Sequence, residues 1–232
     1  MDIEGVARGL SAARRSHGLV APPSQRHQGF SLEDGYAVAR LLHQERVASG
    51  CVPVGLKLGF TNETVWTQRG LDSPFWAPMY DQTVTDEREV SLEGLVAPRI
   101  EPEIVQCHYP DWDMSPPDAV ADGGLHGVLV VGQHVELAAA DGDLLAEVEV
   151  ELRRENVVVA RGSGADALGG PVEAITWLLR LPGVEGQRAG AIVTTGTLTA
   201  ELPIAPGESW QLNTTGPVAL SQLHVSFASR DR

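Results

Sequence analysis

The stretch LLAEVEVELRRENVVVARG, Leu144–Gly162, decides the fold class. Apolar and charged residues alternate along both halves, on either side of a polar turn at Arg153–Asn156. A period of two is the mark of a β-strand with one buried face. Two such runs around a short polar turn predict an antiparallel hairpin. Glu147, Glu149 and Glu151 then share the solvated outer face, and the valines between them point inward.

The chain outside the hairpin divides by period. MDIEGVARGLSAARRSHG places Ile3, Val6, Ala7 and Leu10 at helical spacing. APPSQRHQGF reads as a Pro-rich connector. SLEDGYAVARLLHQERVASG predicts a second helix, with Ser31 as N-cap, Asp34 three residues on, a stripe of Val38, Leu41, Leu42 and Ala48, and a stop at Gly50. From Cys51 the pattern shortens. CVPVGLKLGF predicts a strand, TNETVWTQRGL a capped helical turn ending at Gly70, and SPFWAPMYDQTVTD a loop entering a strand. EVSLEGLVAPRIEPEIVQCH predicts two short strands, YPDWDMSPPDAVADGG a loop, and LHGVLVVGQHVEL another strand. GGPVEAITWLLRLPG is a helix opened by Pro171 and closed before Gly183. Short strands follow to the C-terminus. The expected class is α+β: an N-terminal helical region over residues 1–50, set on a mixed, curled, barrel-like sheet domain over residues 51–232.

Composition narrows the function. A net charge of −14 over 232 residues argues against a nucleic-acid partner. Two cysteines, Cys51 and Cys107, make neither a disulfide framework nor a metal motif, which fits a reduced cytoplasmic setting. The N-terminus lacks the apolar core of a signal peptide, and no apolar run has the length to span a membrane.

The residues with chemical promise are few. Glu101 and Glu103 lie one residue apart in APRIEPEIVQCH. On a strand that spacing puts both carboxylates on one face. They form either a solvated edge or half of a site for a hard divalent cation, which takes oxygen ligands. Pro102 between them implies an edge or a bulge. Lys57, in GLKLGF, is either a strand-end lysine reaching for water or a buried ammonium that needs a partner. ARGSGADALGGP surrounds Ser163 with glycines, as an ordinary loop or as a backbone cradle for a carboxylate. VTTGTLT carries the hydroxyls of Thr194, Thr195, Thr197 and Thr199. His134 and Glu136 form a weaker candidate pair at a strand end.

Taken in order, PPSQRHQGFSLEDGYAVARLL, VGLKLGFTN, APRIEPEIV, DAVADG, ARGSGADALGGPVEAITWLLR and AIVTTGTL resemble the 2-keto-4-pentenoate hydratase and 4-oxalocrotonate decarboxylase branch of the fumarylacetoacetate hydrolase superfamily. The resemblance implies a β-roll core. It implies a lyase of aromatic catabolism that acts on a small 2-oxo or 2-hydroxy dienoic acid through a metal-stabilised enolate. Mg²⁺ or Mn²⁺ would be held by Glu101 and Glu103. Lys57 matches the active-site lysine, Asp81 a pocket aspartate near it, and Ser163 and Thr195 positions that hold the substrate's carboxylate and oxo group. A homo-oligomer is implied, or a hetero-complex with a related enzyme. The chain departs from the pattern after Gln106 and Cys107, where the segment bearing a third metal carboxylate is missing. That departure implies a weakened metal site. It also opens an alternative, a family member that is non-catalytic or recruited to a different biosynthetic reaction. C–C bond hydrolysis is a third option, without a matching His–Glu pair in the helical segment.

Overall fold

The computed structural model describes residues 1–66, 73–181, 184 and 190–229. The expected helix stops at Gly70 and Gly183 lie outside the described residues. Helix α1 (Ile3–Ser16) is capped by Asp2, whose Oδ1 accepts from Gly5 N at 2.8 Å. A single turn, α2 (Pro23–Arg26), interrupts the Pro-rich connector. Helix α3 (Leu32–Ala48) opens on the expected capping box: Ser31 Oγ accepts from Asp34 N, and Asp34 Oδ2 accepts from Ser31 N at 2.9 Å.

A helix also forms where a loop is expected. Helix α4 (Pro116–Ala121) begins with Pro116 and Pro117, in first-turn positions whose N–H groups have no intrahelical partner to lose. Ser115 and Asp118 close a second capping box, with Asp118 Oδ2 accepting from Ser115 N at 2.8 Å. Reading the prolines only as breakers hides this. The buried Asp118 also accepts from Ser24 N at 2.9 Å, which ties α2 to α4. Leu10, Val38 and Leu42 pack with Phe75, Tyr109 and Val120, so the helical layer shares its core with residues well beyond residue 50.

The described strands form three mixed sheets. In the first, β1 (Pro53–Gly59) lies between β2 (Phe75–Tyr80), antiparallel, and β10 (Ile192–Thr194), parallel. Helix α5 (Pro171–Leu178) covers it, burying Ala174 and Leu178 against Leu56 and Leu58. The second runs in the order β11 (Leu202–Pro203), β5 (Arg99–Ile100), β6 (Ile104–Val105), β7 (His126–Val130), β3 (Val84–Thr85). The third runs β4 (Glu89–Val90), β13 (Leu223–Phe227), β12 (Ser209–Thr215), β8 (Glu149–Arg154), β9 (Val157–Ser163). Ile100 and Ile104 of the second meet Leu152, Trp210 and Phe227 of the third in one core.

The β8–β9 hairpin forms as its alternation predicts from Glu149 onward, whereas residues 144–147 of the expected strand belong to a 3-10 stretch, Ala139–Glu147. Val148, Val150 and Leu152 are buried, and Glu147 and Glu149 are exposed. Its turn residues Glu155 and Asn156 have φ of 47° and 67°, as a two-residue turn between twisted strands requires. The strand expected over Leu125–Leu137 stops at Val130, and the next eight residues are irregular.

Where β6 runs toward α4, a buried ion network locks the helical layer to the sheets. Asp122 accepts from Arg14 Nη2 at 2.9 Å and from His108 N at 3.0 Å, and pairs with His108 Nδ1 at 2.9 Å. Burial alone would raise the Asp122 carboxyl. The bonds from His108 and the charge of Arg14 outweigh it and hold the pKa below the ordinary 3.8. A depressed carboxyl stabilises the fold above its unfolded value and ceases to as pH falls through the folded one. Asp122→Asn is therefore expected to lose about 3 kcal/mol at neutral pH, as for breaking a buried pair. Its urea-unfolding stability should also fall less steeply than the wild type's below pH 3.8. Parallel pH profiles would show that the carboxylate is not what locks the layers.

Candidate active site

Lys57 lies in the middle of the first sheet, opposite Ala77 on β2 and Thr194 on β10. It is 3% exposed, so its ammonium does not reach water. The partners it needs are Glu101 and Glu103. They do not sit on a strand as the spacing suggests. Residues 101–103 form the tight turn between β5 and β6, closed by Glu101 N donating to Glu103 O at 2.8 Å, with Pro102 at the apex. Proline suits an apex, where no ladder bond is required of it. The turn converges both carboxylates on one point: Lys57 Nζ is 3.5 Å from Glu101 Oε1 and in direct ion contact with Glu103 Oε1.

The three charges set one another. Burial works against the Lys57 ammonium, but the charges of Glu103 and Glu101 outweigh it and hold its pKa above the usual lysine value. Burial raises Glu101 to about 8 despite Lys57, and the charges of Glu103 and Glu201 add to the rise. Glu103 is the opposite case: burial would raise it, but the charge and hydrogen bond of Lys57 outweigh burial and hold it below the ordinary glutamate value. Neither oxygen of Glu103 receives a hydrogen bond from an amide or hydroxyl. Two buried acids against one ammonium, with no amide or hydroxyl among the described residues donating to Glu103, fit the oxygen ligands of a hard divalent cation. Among the described residues, no third His, Cys, Asp or Glu completes a group of metal-ligand size.

Sequence reasoning passed over three neighbours. Glu201 directly precedes Leu202, which pairs with Ile100, so β11 carries it to the side of Glu101. There Arg99 Nη1 holds it at 3.1 Å. Its charge bears on the acid pair, but only cross-strand register reveals this. His126, on β7, feels the charges of Glu103 and Lys57, and burial pushes it down to about 4, leaving a neutral imidazole. Its Nε2 meets Thr83 Oγ1 at 2.9 Å. Thr194, named only as one of four hydroxyls, places a buried and unbonded Oγ1 on the strand beside Lys57.

Of the expected substrate residues, Thr195 directly follows the threonine opposite Lys57 and is half-buried. Ser163 ends β9, where its N–H donates to Asp166 Oδ2 at 2.7 Å. The two loops are drawn together. A side chain at Gly162 would strike Leu198 O, and one at Gly196, with φ of 99°, would strike Thr61. Leu168 N donates to Thr61 O at 3.0 Å. Asp81 is not brought to the lysine. Lys57 pairs with Ala77, whereas Asp81 lies past the end of β2, at the start of a 3-10 turn. There it is exposed, and Oδ1 accepts from Val52 N at 2.9 Å. His134 and Glu136 are exposed in the irregular segment after β7.

Residues 104–222 match the family described as fumarylacetoacetate (FAA) hydrolase C-terminal. The chain belongs to this family. The matched span holds Ser163 and Thr195, whereas Lys57, Glu101 and Glu103 precede it. Family relatives span nearly the whole chain. A 2-keto-4-pentenoate hydratase of Paraburkholderia xenovorans is 27% identical over 92% of this chain and 91% of its own. A 4-oxalocrotonate decarboxylase of a Pseudomonas species is 26% identical over 90% and 93%. Among solved family structures, the 4-oxalocrotonate decarboxylase from Pseudomonas putida G7, complexed with magnesium and adipate, shares the fold with a TM-score of 0.87, 22% identity and 97% coverage of both chains.

The ion cluster also makes a prediction about stability. Lys57→Met leaves Glu101 and Glu103 buried without a counter-ion and is expected to cost about 3 kcal/mol in urea unfolding with a chelator present. Adding Glu103→Gln to that variant should recover most of the loss. Equal stability of the wild type and Lys57→Met would overturn the cluster.

Proposed function

We propose that this chain is a lyase, a hydratase or decarboxylase acting on a small 2-oxo or 2-hydroxy dienoic acid. The observation that carries the reading is the buried Lys57–Glu101–Glu103 cluster, in a chain whose near-full-length relatives are named for those two activities. Glu101 and Glu103 would hold Mg²⁺ or Mn²⁺. When bound, the metal would act as a Lewis acid toward the 2-oxo group of the substrate. The solved decarboxylase with magnesium and a dicarboxylate supports that assignment by its fold.

The remaining roles belong to the chain itself. Lys57 Nζ is the group with a proton to give or take at the substrate's carbon chain, and its two carboxylate neighbours set when it does so. Asp81, matched by the resemblance to a pocket aspartate, is held by Val52 N instead of by the lysine. Thr195, with Thr194 beside it, and Ser163 across the paired loops offer hydroxyls to the substrate's carboxylate. The same set serves either outcome, since adding water and losing CO₂ both place charge on the 2-oxo oxygen. A homo-oligomer belongs to the proposal as well. Among the described residues no helix is long and apolar enough to cross a membrane.

The two-acid site also favours a second reading, a member whose metal site is degenerate. On that reading the run from Gln106 to α4 would stand in place of a segment bearing a third carboxylate. Calorimetry with Mn²⁺, alone and with oxalate as a 2-oxo-acid mimic, separates the two. The lyase reading expects saturable binding that tightens with oxalate and is lost in Glu103→Gln. Absence of binding in both titrations would sink it. Mass spectrometry of products from 2-hydroxypenta-2,4-dienoate and 4-oxalocrotonate then distinguishes hydration from decarboxylation.

A further inference from the structure

A second polar cleft lies where α1, α3, the end of β2 and the Gly123–His126 corner meet, lined by Arg14, His43, Arg46, Tyr80 and His126. Its volume is about 20 Å³, room for one water-sized species. Two guanidinium groups face it. Arg14 uses Nη2 on Asp122 at 2.9 Å, but its Nε is buried with no hydrogen-bond partner among the described residues. A side chain at Gly123, where φ is +65°, would press on that guanidinium at 2.9 Å, so glycine there leaves room for it.

Arg46 lies 4.8 Å from the centre of the Tyr80 ring. Among the described residues no carboxylate lies within ion-pair distance of it. Burial, and then the charge of Arg14, lower its pKa from the usual arginine value, so each cation destabilises the other. The one acid at hand, Asp122, already serves Arg14 and His108. His126 is neutral and engaged by Thr83, and His43 Nδ1 is paired with Tyr80 Oη at 2.9 Å. Of these two half-buried arginines, Arg14 is paired with Asp122, and the positive charge of Arg46 is left over.

We propose that this cleft binds a compact anion between Arg14 and Arg46. The chemistry that fits is a single negatively charged atom that accepts guanidinium N–H bonds: a halide, or one oxygen of inorganic phosphate or of a small carboxylate. Bound there, it joins α1 and α3 to the corner before β7 and so pins the helical layer to the sheets. His126 lies between this cleft and the Lys57 cluster, but the anion contacts come from Arg14 and Arg46, and the proposal does not depend on the lyase reading.

The test titrates the full-length protein with sodium chloride, phosphate or acetate at constant ionic strength and follows the melting temperature. A saturable rise is expected in the wild type and in the surface variant Arg180→Gln. In Arg46→Gln the apparent affinity should weaken about tenfold or more, the scale of one lost charge-assisted contact. The anion that saturates at the lowest concentration identifies the source. Bromide soaked into wild-type crystals gives a check that needs no variant, as an anomalous peak between the two guanidinium groups. Responses that do not saturate, or that are equal in Arg46→Gln, overturn the proposal, as does a bromide map empty at the cleft.

Discussion

An ammonium buried in the middle of a strand must be neutralised where it stands, and Lys57 imposes that constraint on the rest of this fold. Removing such a group from water costs several kcal/mol, repaid only by close opposite charge. The charge comes from Glu101 and Glu103, about fifty residues away along the chain but delivered by one tight turn. The first sheet must therefore present Lys57 to the second, and the β5–β6 turn must hold both acids at that depth. The lysine leaves one acid in excess. Glu101, raised to about 8, bears most of that excess by keeping its proton. The cluster is thus near neutral overall.

Part of this was legible in the sequence. The alternation of Leu144–Gly162 specified the hairpin because one face is solvated, and Ser31 with Asp34 specified the start of α3 because both partners of the capping box are local. Glu101 and Glu103 were recognisable as a pair, and Pro102 marked a break in the ladder. The turn itself was not readable, because strands of two residues leave no periodic trace. α4 was hidden for a related reason: Pro116 and Pro117 resemble breakers unless their first-turn position is known.

What the sequence hid at the site has one physical cause. Register across strands is not encoded in spacing along one strand. Thr194 reaches Lys57 through a parallel pairing of segments more than a hundred residues apart, and Glu201 reaches Glu101 through β11. Asp81 shows the converse. The resemblance matches it to a pocket aspartate, but it follows the end of β2, beyond the Ala77 that pairs with Lys57, and accepts from Val52 N instead. A resemblance aligns positions; the register decides which of them meet.

The position of Glu201 bears on how a two-acid site could work. It stands beside the cluster and already raises Glu101, so its charge adds to the field any cation at the pair would feel. Arg99 counters that charge at 3.1 Å while lying 4.3 Å from the centre of the Trp112 ring. Trp112 belongs to the run after Cys107, and its Nε1 donates to Ala97 O at 3.0 Å. This run thus packs against the residues that lead into β5 and helps position the arginine that restrains Glu201. It therefore supplies a contact that tunes the field around Glu101 and Glu103.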